Sequence, residues 1–384
     1  MALKVSSRSQ VPAFMVMDVL RAANERAASR KAVYHLEVGQ PGTAAPEGVI
    51  EAARQALAGD RLGYTEALGI PELRQAVAQH YRDYYGVSLD PARVVVTTGS
   101  SGGFVLAFLA AFDAGDRVAL ASPGYPCYRN ILSALGVEPV CLPAEAADRF
   151  QPTPELLDRA RRDGPLDGLI VASPSNPTGT MLQRAELKDL ADYCALHGIR
   201  FISDEIYHGI TYDRQADTAL DFTETAIVIN SFSKYFSMTG WRVGWMIVPE
   251  DLTRSIECLT QNLFISAPTL SQLAAVAAFG CRAENDRRVE SYRASRDLLL
   301  RALPAAGFDK LAPADGAFYI YADIGTLTND SDAFCRQILA GTGVALTPGL
   351  DFDPERGNRF VRFSYAETPA TVKHAAALLA SRRR

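Results

Sequence analysis

The 384-residue sequence is short of several features that would mark other kinds of protein. Its six cysteines, at 127, 141, 194, 258, 281 and 335, are scattered, with no Cys-x-x-Cys pair. A chain this long builds its core without disulfide staples, so reduced thiols are expected. The five histidines, at 35, 80, 197, 208 and 374, do not cluster and form no His-Glu-x-x-His, which argues against a dedicated metal site. Net charge is −5, so the basic footprint of a nucleic-acid binder is missing. The one cationic cluster, Arg382–Arg384, reads as a solvated helix end. The longest apolar run, "FVLAFLAAF" (104–112), is too short to span a bilayer. The first residues carry arginine and serine, faintly like a transit peptide, but Asp18 and Glu25 interrupt them and no secretory apolar core is present. A cytoplasmic protein is expected.

What is present is a rhythm. With 48% hydrophobic residues, 28 Gly and 21 Pro spread throughout, more than one domain is expected. From residue 93, β-branched runs alternate with helical stretches. "RVVVTTG" (93–99), "RVALASP" (117–123), "VEPVCLP" (137–143), "DGLIVASP" (167–174), "IRFISDE" (199–205) and "AIVINSF" (226–232) read as strands. Near-continuous apolar strands separated by helices imply a mainly parallel sheet covered on both faces. "GWRVGWMIVP" (240–249) reads as an antiparallel strand, because the connection before it is too short for a crossover helix. Beyond 285 a long charged helix (284–303), strands near "AFYIYADI", "GVALTPG" and "RFVRFSYA", and a final helix from about 368 suggest an α+β unit. The opening 40 residues show no such rhythm and are expected to pack with it. The expected fold is therefore α/β, with a large domain over 45–285 and a smaller α+β domain from 1–44 and 286–384.

Ligands of parallel α/β sheets bind at the carboxyl ends of strands. Five strand exits here carry polar residues: "TTGSSGG", "SPGYPCY", "SPSNPTG", "SDEIYHG" and "NSFSKYF". Each alone passes for turn chemistry; five on one edge make a site. Ser100, Ser101 and Gly102 open a helix whose free N–H groups could cradle a phosphate, although a plain N-cap explains them as well. Arg242, with Ser231 and Ser233, would supply a charge-assisted partner for the same anion. Asp204 ends an apolar strand, where a buried carboxylate must pair with a cation or take up a proton. Lys234 lies among Phe232, Tyr235 and Phe236; a desolvated amine shifts toward its neutral, nucleophilic form, whereas the plainer alternative is a lysine that snorkels outward.

A phosphate, a ring nitrogen needing an acid, a phenolic oxygen and an aldehyde for a lysine describe pyridoxal 5′-phosphate. The chain resembles the class I/II aminotransferases of PLP fold type I nearly end to end. The resemblance runs from "LEVGQPG" through "YTEALGIPELRQAVAQHY", "SNPTG", "SDEIY" and "SFSKYFSMTGWRVGW" to "VRFSYAE". It implies that Lys234 forms the aldimine with the cofactor and shuttles the proton, and that Asp204 keeps the pyridine nitrogen protonated. It further implies that Asn176 and Tyr207 bond the 3′-oxygen, Tyr125 stacks on the ring, and Ser100, Ser101, Gly102, Ser231, Ser233 and Arg242 bind the phosphate. Tyr64 would reach that phosphate from a second subunit, implying a homodimer with shared sites. Arg362 would fork the substrate α-carboxylate, with Gly39 in the segment lining that pocket; otherwise Arg362 would be an edge-strand surface arginine. No second cation can be placed opposite a distal carboxylate. Phe14 and Met15, in a segment that in relatives lies near the substrate entrance, point to a neutral or aromatic amino donor.

Two other readings compete. "GSSGG" (99–103) spells a nucleophile elbow with Ser101 as nucleophile, which would need a loop histidine among His197, His208 and His374. A PLP-dependent C–S lyase would use the same lysine and aspartate.

Overall fold

The computed structural model describes residues 3–59 and 62–381; the Arg382–Arg384 cluster lies outside them. Seven strands form the main sheet: β1 (Val94–Thr97), β2 (Arg117–Ser122), β3 (Glu138–Pro143), β4 (Gly168–Ala172), β5 (Arg200–Asp204), β6 (Ile227–Ser231) and β7 (Gly244–Ile247). Their spatial order is β1-β7-β6-β5-β4-β2-β3. Five of them, β6 through β3 in that order, run parallel. β7 is antiparallel to both neighbours, as expected, and no α-helix lies between it and β6. Because β1 and β6 are both antiparallel to β7, β1 points the same way as the parallel set. The carboxyl ends of β1, β2, β4, β5 and β6 therefore share one edge.

The strand interiors explain why the sheet is covered on both sides. Val95, Ile170, Ile202, Ile229 and Met246 pack into one core with Phe104 and Phe108. Their alternating neighbours Val94, Val96, Leu169, Val171, Phe201, Val228 and Trp245 enter another. Side chains of period two thus bury both faces, the pattern of a helix-sandwiched sheet.

A third core gathers Leu36, Ile206, Tyr207, Ile210, Tyr292, Phe318, Phe363 and Leu379. Above it lies a four-stranded antiparallel sheet of β8 (Lys310–Leu311), β9 (Tyr319–Asp323), β10 (Thr347–Pro348) and β11 (Phe360–Ser364), in the order β10-β11-β9-β8. The helices Arg282–Ala302 and Pro369–Ser381 pack against each other beside it. Two expectations change here. "GVALTPG" is not one strand: Val344–Ala345 pairs in parallel with Tyr34–His35, and Thr347–Pro348 pairs with β11. The opening segment contains a 14-residue helix, α1 (Met15–Ala28). It buries only Val16 and Ala23, so its sequence carries no broad apolar stripe to announce it.

Candidate active site

The five strand exits converge on a cavity of about 210 Å³. After β5, Asp204 is buried, and its Oδ2 accepts the Tyr128 hydroxyl while Oδ1 accepts Ile206 N–H at 3.0 Å. It forms no ion pair among the described residues, and burial pushes its carboxyl up to about 6 against the opposing pull of those bonds. After β6, Lys234 faces the cavity and donates from Nζ to the Gly39 carbonyl at 2.7 Å. Burial first, then the Arg362 charge, then Arg242, pull its amine down to about 8, while Asp204 pulls the other way.

The apolar company of Lys234 differs from what its sequence neighbours suggest. Phe232 and Phe236 turn away to meet Trp245 and Phe279 edge-to-face, and the Tyr235 hydroxyl bonds Asp286 at 2.5 Å. The rings near Nζ are Tyr207 at 5.8 Å and Phe318 at 5.9 Å. A pKa of about 8 also leaves most of the amine protonated at pH 7, so the expectation of a neutral amine at neutral pH is only partly met.

Arg362 lies on β11, paired with Tyr321 of β9 on one side and Thr347 of β10 on the other. It is therefore on an inner strand and only 2% exposed, not a surface edge residue. Its Nη1 donates to Asn176 Oδ1 at 2.8 Å, and Nη2 donates to the Glu37 carbonyl and to Thr347 Oγ1 at 3.2 Å. The guanidinium packs between Tyr319 at 4.4 Å and Phe352 at 4.7 Å. No carboxylate pairs with it among the described residues, and its buried Nε has no partner. A buried cation left this way is costly unless a ligand anion completes it.

At the opposite wall, Ser100 and Ser101 occupy the first turn of α2 (Gly99–Ala111), whose N-cap makes no side-chain bond. Ser233 and Arg242 line the same wall. Gly99 must be glycine: its φ is 71°, and a Cβ there would strike the Arg242 guanidinium. Arg242 itself holds a left-handed φ of 53°, a conformation uncommon outside glycine.

Tyr125, Asn176, Tyr207 and Gly39 line the cavity as expected. Three expected residues do not. Ser231 is buried behind Ser233, its Oγ within 2.9 Å of Ser233 Oγ and 3.2 Å of the Val243 carbonyl and accepting Ser233 N–H at 3.1 Å. Gly102 is buried inside α2, where a Cβ would crowd Thr98. Tyr64 is 86% exposed and stands apart from the cavity of its own chain. Of the entrance pair, Phe14 lines the cavity, but Val16 and Met17 take the place of Met15. The motifs also pass over two tyrosines. Tyr128, in the first turn of the helix Pro126–Leu135 that follows Tyr125, holds Asp204. Tyr319 hydrogen-bonds Tyr207 through their hydroxyls at 2.7 Å. No histidine lines the cavity among the described residues, so the histidine that the Ser101 triad requires is missing from it and the hydrolase reading fails.

The donor set fits pyridoxal 5′-phosphate. A buried carboxylate without a cation suits a protonated ring nitrogen, an open helix N-terminus beside Arg242 suits a phosphate, and the Lys234 amine lines the same cavity.

The family model "Aminotransferase class I and II" matches residues 31–379. The chain is 53% identical over 376 residues to valine–pyruvate aminotransferase of Mycobacterium tuberculosis, covering 97% of this chain and 96% of that one. It is 35% identical over 365 residues to (5-formylfuran-3-yl)methyl phosphate transaminase of Methanocaldococcus jannaschii, covering 94% of each. The crystal structure of an aminotransferase from Mycobacterium tuberculosis superposes with a TM-score of 0.96 at 52% identity over 99% of both chains. The chain belongs to the class I and II aminotransferases, enzymes that move an amino group between amino acids and 2-oxo acids.

Proposed function

We propose that this cavity binds pyridoxal 5′-phosphate and transaminates neutral L-amino acids with a 2-oxo acid in ping-pong half-reactions. When bound, that group supplies an aldehyde for an amine and an electron sink for a developing carbanion. The chain's own groups do the rest. The Lys234 amine, facing the cavity, would be the group that meets the aldehyde and would hold the proton taken from the substrate carbon. Asp204, held by Tyr128, keeps a proton on the ring nitrogen. Asn176 and Tyr207 would hydrogen-bond the group's phenolic oxygen, and Tyr125 would offer its ring as a stacking surface. Ser100, Ser101, Ser233 and Arg242 hold the phosphate directly, with Ser231 and Gly102 shaping that wall from behind. Arg362 binds the α-carboxylate, and Gly39 leaves room beside it.

The observation that carries the reading is the buried Arg362 guanidinium, which has an unbonded Nε and no carboxylate partner among the described residues. The neutral donor class rests on the rest of the wall. The cations lining the cavity are Lys234, Arg242 and Arg362, each with a task, and the wall from α1 is Phe14, Val16 and Met17. The name of the valine–pyruvate relative points the same way. Exposed Tyr64 supports a homodimer in which it reaches the partner's phosphate site. A cytoplasmic location belongs to the same proposal. So does a division into a large domain, 45–285, and a small one, 1–44 with 286–384, supported by separate apolar cores; the helix Arg282–Ala302 crosses the second boundary.

The test is a single-turnover panel. The cofactor-loaded enzyme is mixed with each of the twenty amino acids, and bleaching of its visible band is followed. Fast bleaching by neutral aliphatic donors and slow bleaching by aspartate supports the reading; the reverse order sinks it.

A further inference from the structure

Helix α1 has no local cap. Its N-cap residue, Phe14, makes no side-chain bond to the first turn. The first two N–H groups instead reach across the whole sequence: Met15 N–H donates to Asp351 Oδ1 at 3.0 Å and Val16 N–H to Asp351 Oδ2 at 3.1 Å. Asp351 is 2% exposed. A carboxylate that accepts two backbone N–H groups at a helix N-terminus is a strong, directional anchor. Farther along, the helix is held by Val19 and Ala23 against Leu339 and Ala345 and by Arg26 Nη1 donating to the Ala340 carbonyl at 3.1 Å; at its start the Asp351 carboxylate is the polar anchor.

The anchor sits at a junction. Asp351 ends the short turn Gly349–Asp351, and its carbonyl accepts Arg129 Nη2 at 2.6 Å. The next residue, Phe352, offers its carbonyl to Gly124 N–H at 3.0 Å, immediately before Tyr125. Its ring lies 4.7 Å from the Arg362 guanidinium. Phe14, directly before α1, meets Tyr125 edge-on at 5.9 Å. One two-residue segment thus fixes Arg362, Tyr125 and the first turn of α1 relative to one another.

We propose that Asp351 is the positioning residue for donor side-chain selectivity. It touches no substrate. It sets the distance between the carboxylate anchor at Arg362 and the apolar wall of Phe14, Val16 and Met17, and that distance decides which side chains fit. This inference rests on the reading of Arg362 given above.

Initial rates of the holoenzyme with alanine, valine, leucine and phenylalanine, against one common 2-oxo acid, test it. Asp351→Ala should compress the spread of kcat/KM among these donors about tenfold, equal to about 1.4 kcal/mol. The change should appear in KM with kcat held within about threefold, as expected for lost uniform binding. Asp351→Asn, which keeps one acceptor oxygen, should fall between. Phe14→Ala should compress the spread by itself, and the double variant should be no worse than the more affected single variant, because both changes remove the same wall. A kcat/KM that drops by one factor for all donors, or effects of Asp351 and Phe14 that add, overturns the proposal. If Asp351→Ala does not accumulate folded, Asp351→Asn and Phe14→Ala decide by the same criteria. Arg362→Lys run in parallel separates the two claims: it should weaken all donors alike. If it does not, the reading of Arg362 fails; if it does while the Asp351 variants leave the spread intact, only the positioning role fails.

Discussion

Lys234 shows how burial turns an ordinary side chain into a reagent. Its amine is pulled down to about 8 by burial, Arg362 and Arg242, against Asp204. In the cofactor-free protein, modification by an amine reagent should therefore show a midpoint near pH 8 on this residue, not near the usual lysine value. The same shift has a sign in stability. The unfolded chain holds this proton up to the ordinary lysine pKa, so stability rises as pH climbs from about 8 through that value. At pH 7 the buried charge is a cost, and Lys234→Met should raise cofactor-free stability by about 3 kcal/mol, a gain that fades at higher pH. Thermal unfolding at pH 7 and pH 10 checks this. Asp204 is shifted in the opposite sense, up to about 6. Supplied with a ring nitrogen it becomes a charged partner, and Asp204→Ala should lower kcat by roughly 10²–10³ while folding is preserved. Steady-state kinetics alongside circular dichroism would show it.

Among the elements, strand exits were the legible part. Apolar runs ending in Gly, Pro and polar residues identified six strands and the edge where they terminate, because sheet burial and turn chemistry are local. The elements that resisted depend on distant partners. Helix α1 carries no broad apolar stripe and is capped by Asp351 from the far end of the chain. Leu346 lies where "GVALTPG" leaves one sheet for another, and nothing in its own residue types says so. Tyr319 escaped notice because an alternating strand does not reveal which of its faces meets a cavity. Its contact with Gly39 gives a sharp test. A Cβ at Gly39 would overlap the Tyr319 hydroxyl and so break its bond to Tyr207. Gly39→Ala should cost more than tenfold in kcat/KM, about 1.4 kcal/mol or more. Tyr319→Phe in the same chain should restore only part of it, since the ring itself stays close.

In the whole molecule, the cavity joins groups supplied by separate cores. Asp204 and Lys234 come from the main sheet, Arg362 from the antiparallel sheet, and Tyr207 follows β5 but packs in the core of the latter. A guanidinium buried between two rings, with an open Nε, suits a carboxylate bound by parallel hydrogen bonds. Arg362→Lys should therefore weaken every amino and oxo acid by about 10–100-fold, the scale of losing a hydrogen bond between charged groups. Tyr64 is exposed and does not line its own chain's cavity; if it acts across a dimer interface as proposed, Tyr64→Phe should weaken cofactor affinity without disturbing the fold. All of these depend on one assignment, the cofactor on Lys234. The most direct measurement is borohydride reduction of the holoenzyme followed by proteolysis and mass spectrometry of the labelled peptide. The account predicts a single reduced pyridoxyl label on Lys234, in the peptide containing "NSFSKYF". A label on another lysine, or none on a protein whose visible band has been bleached by the reduction, would contradict it.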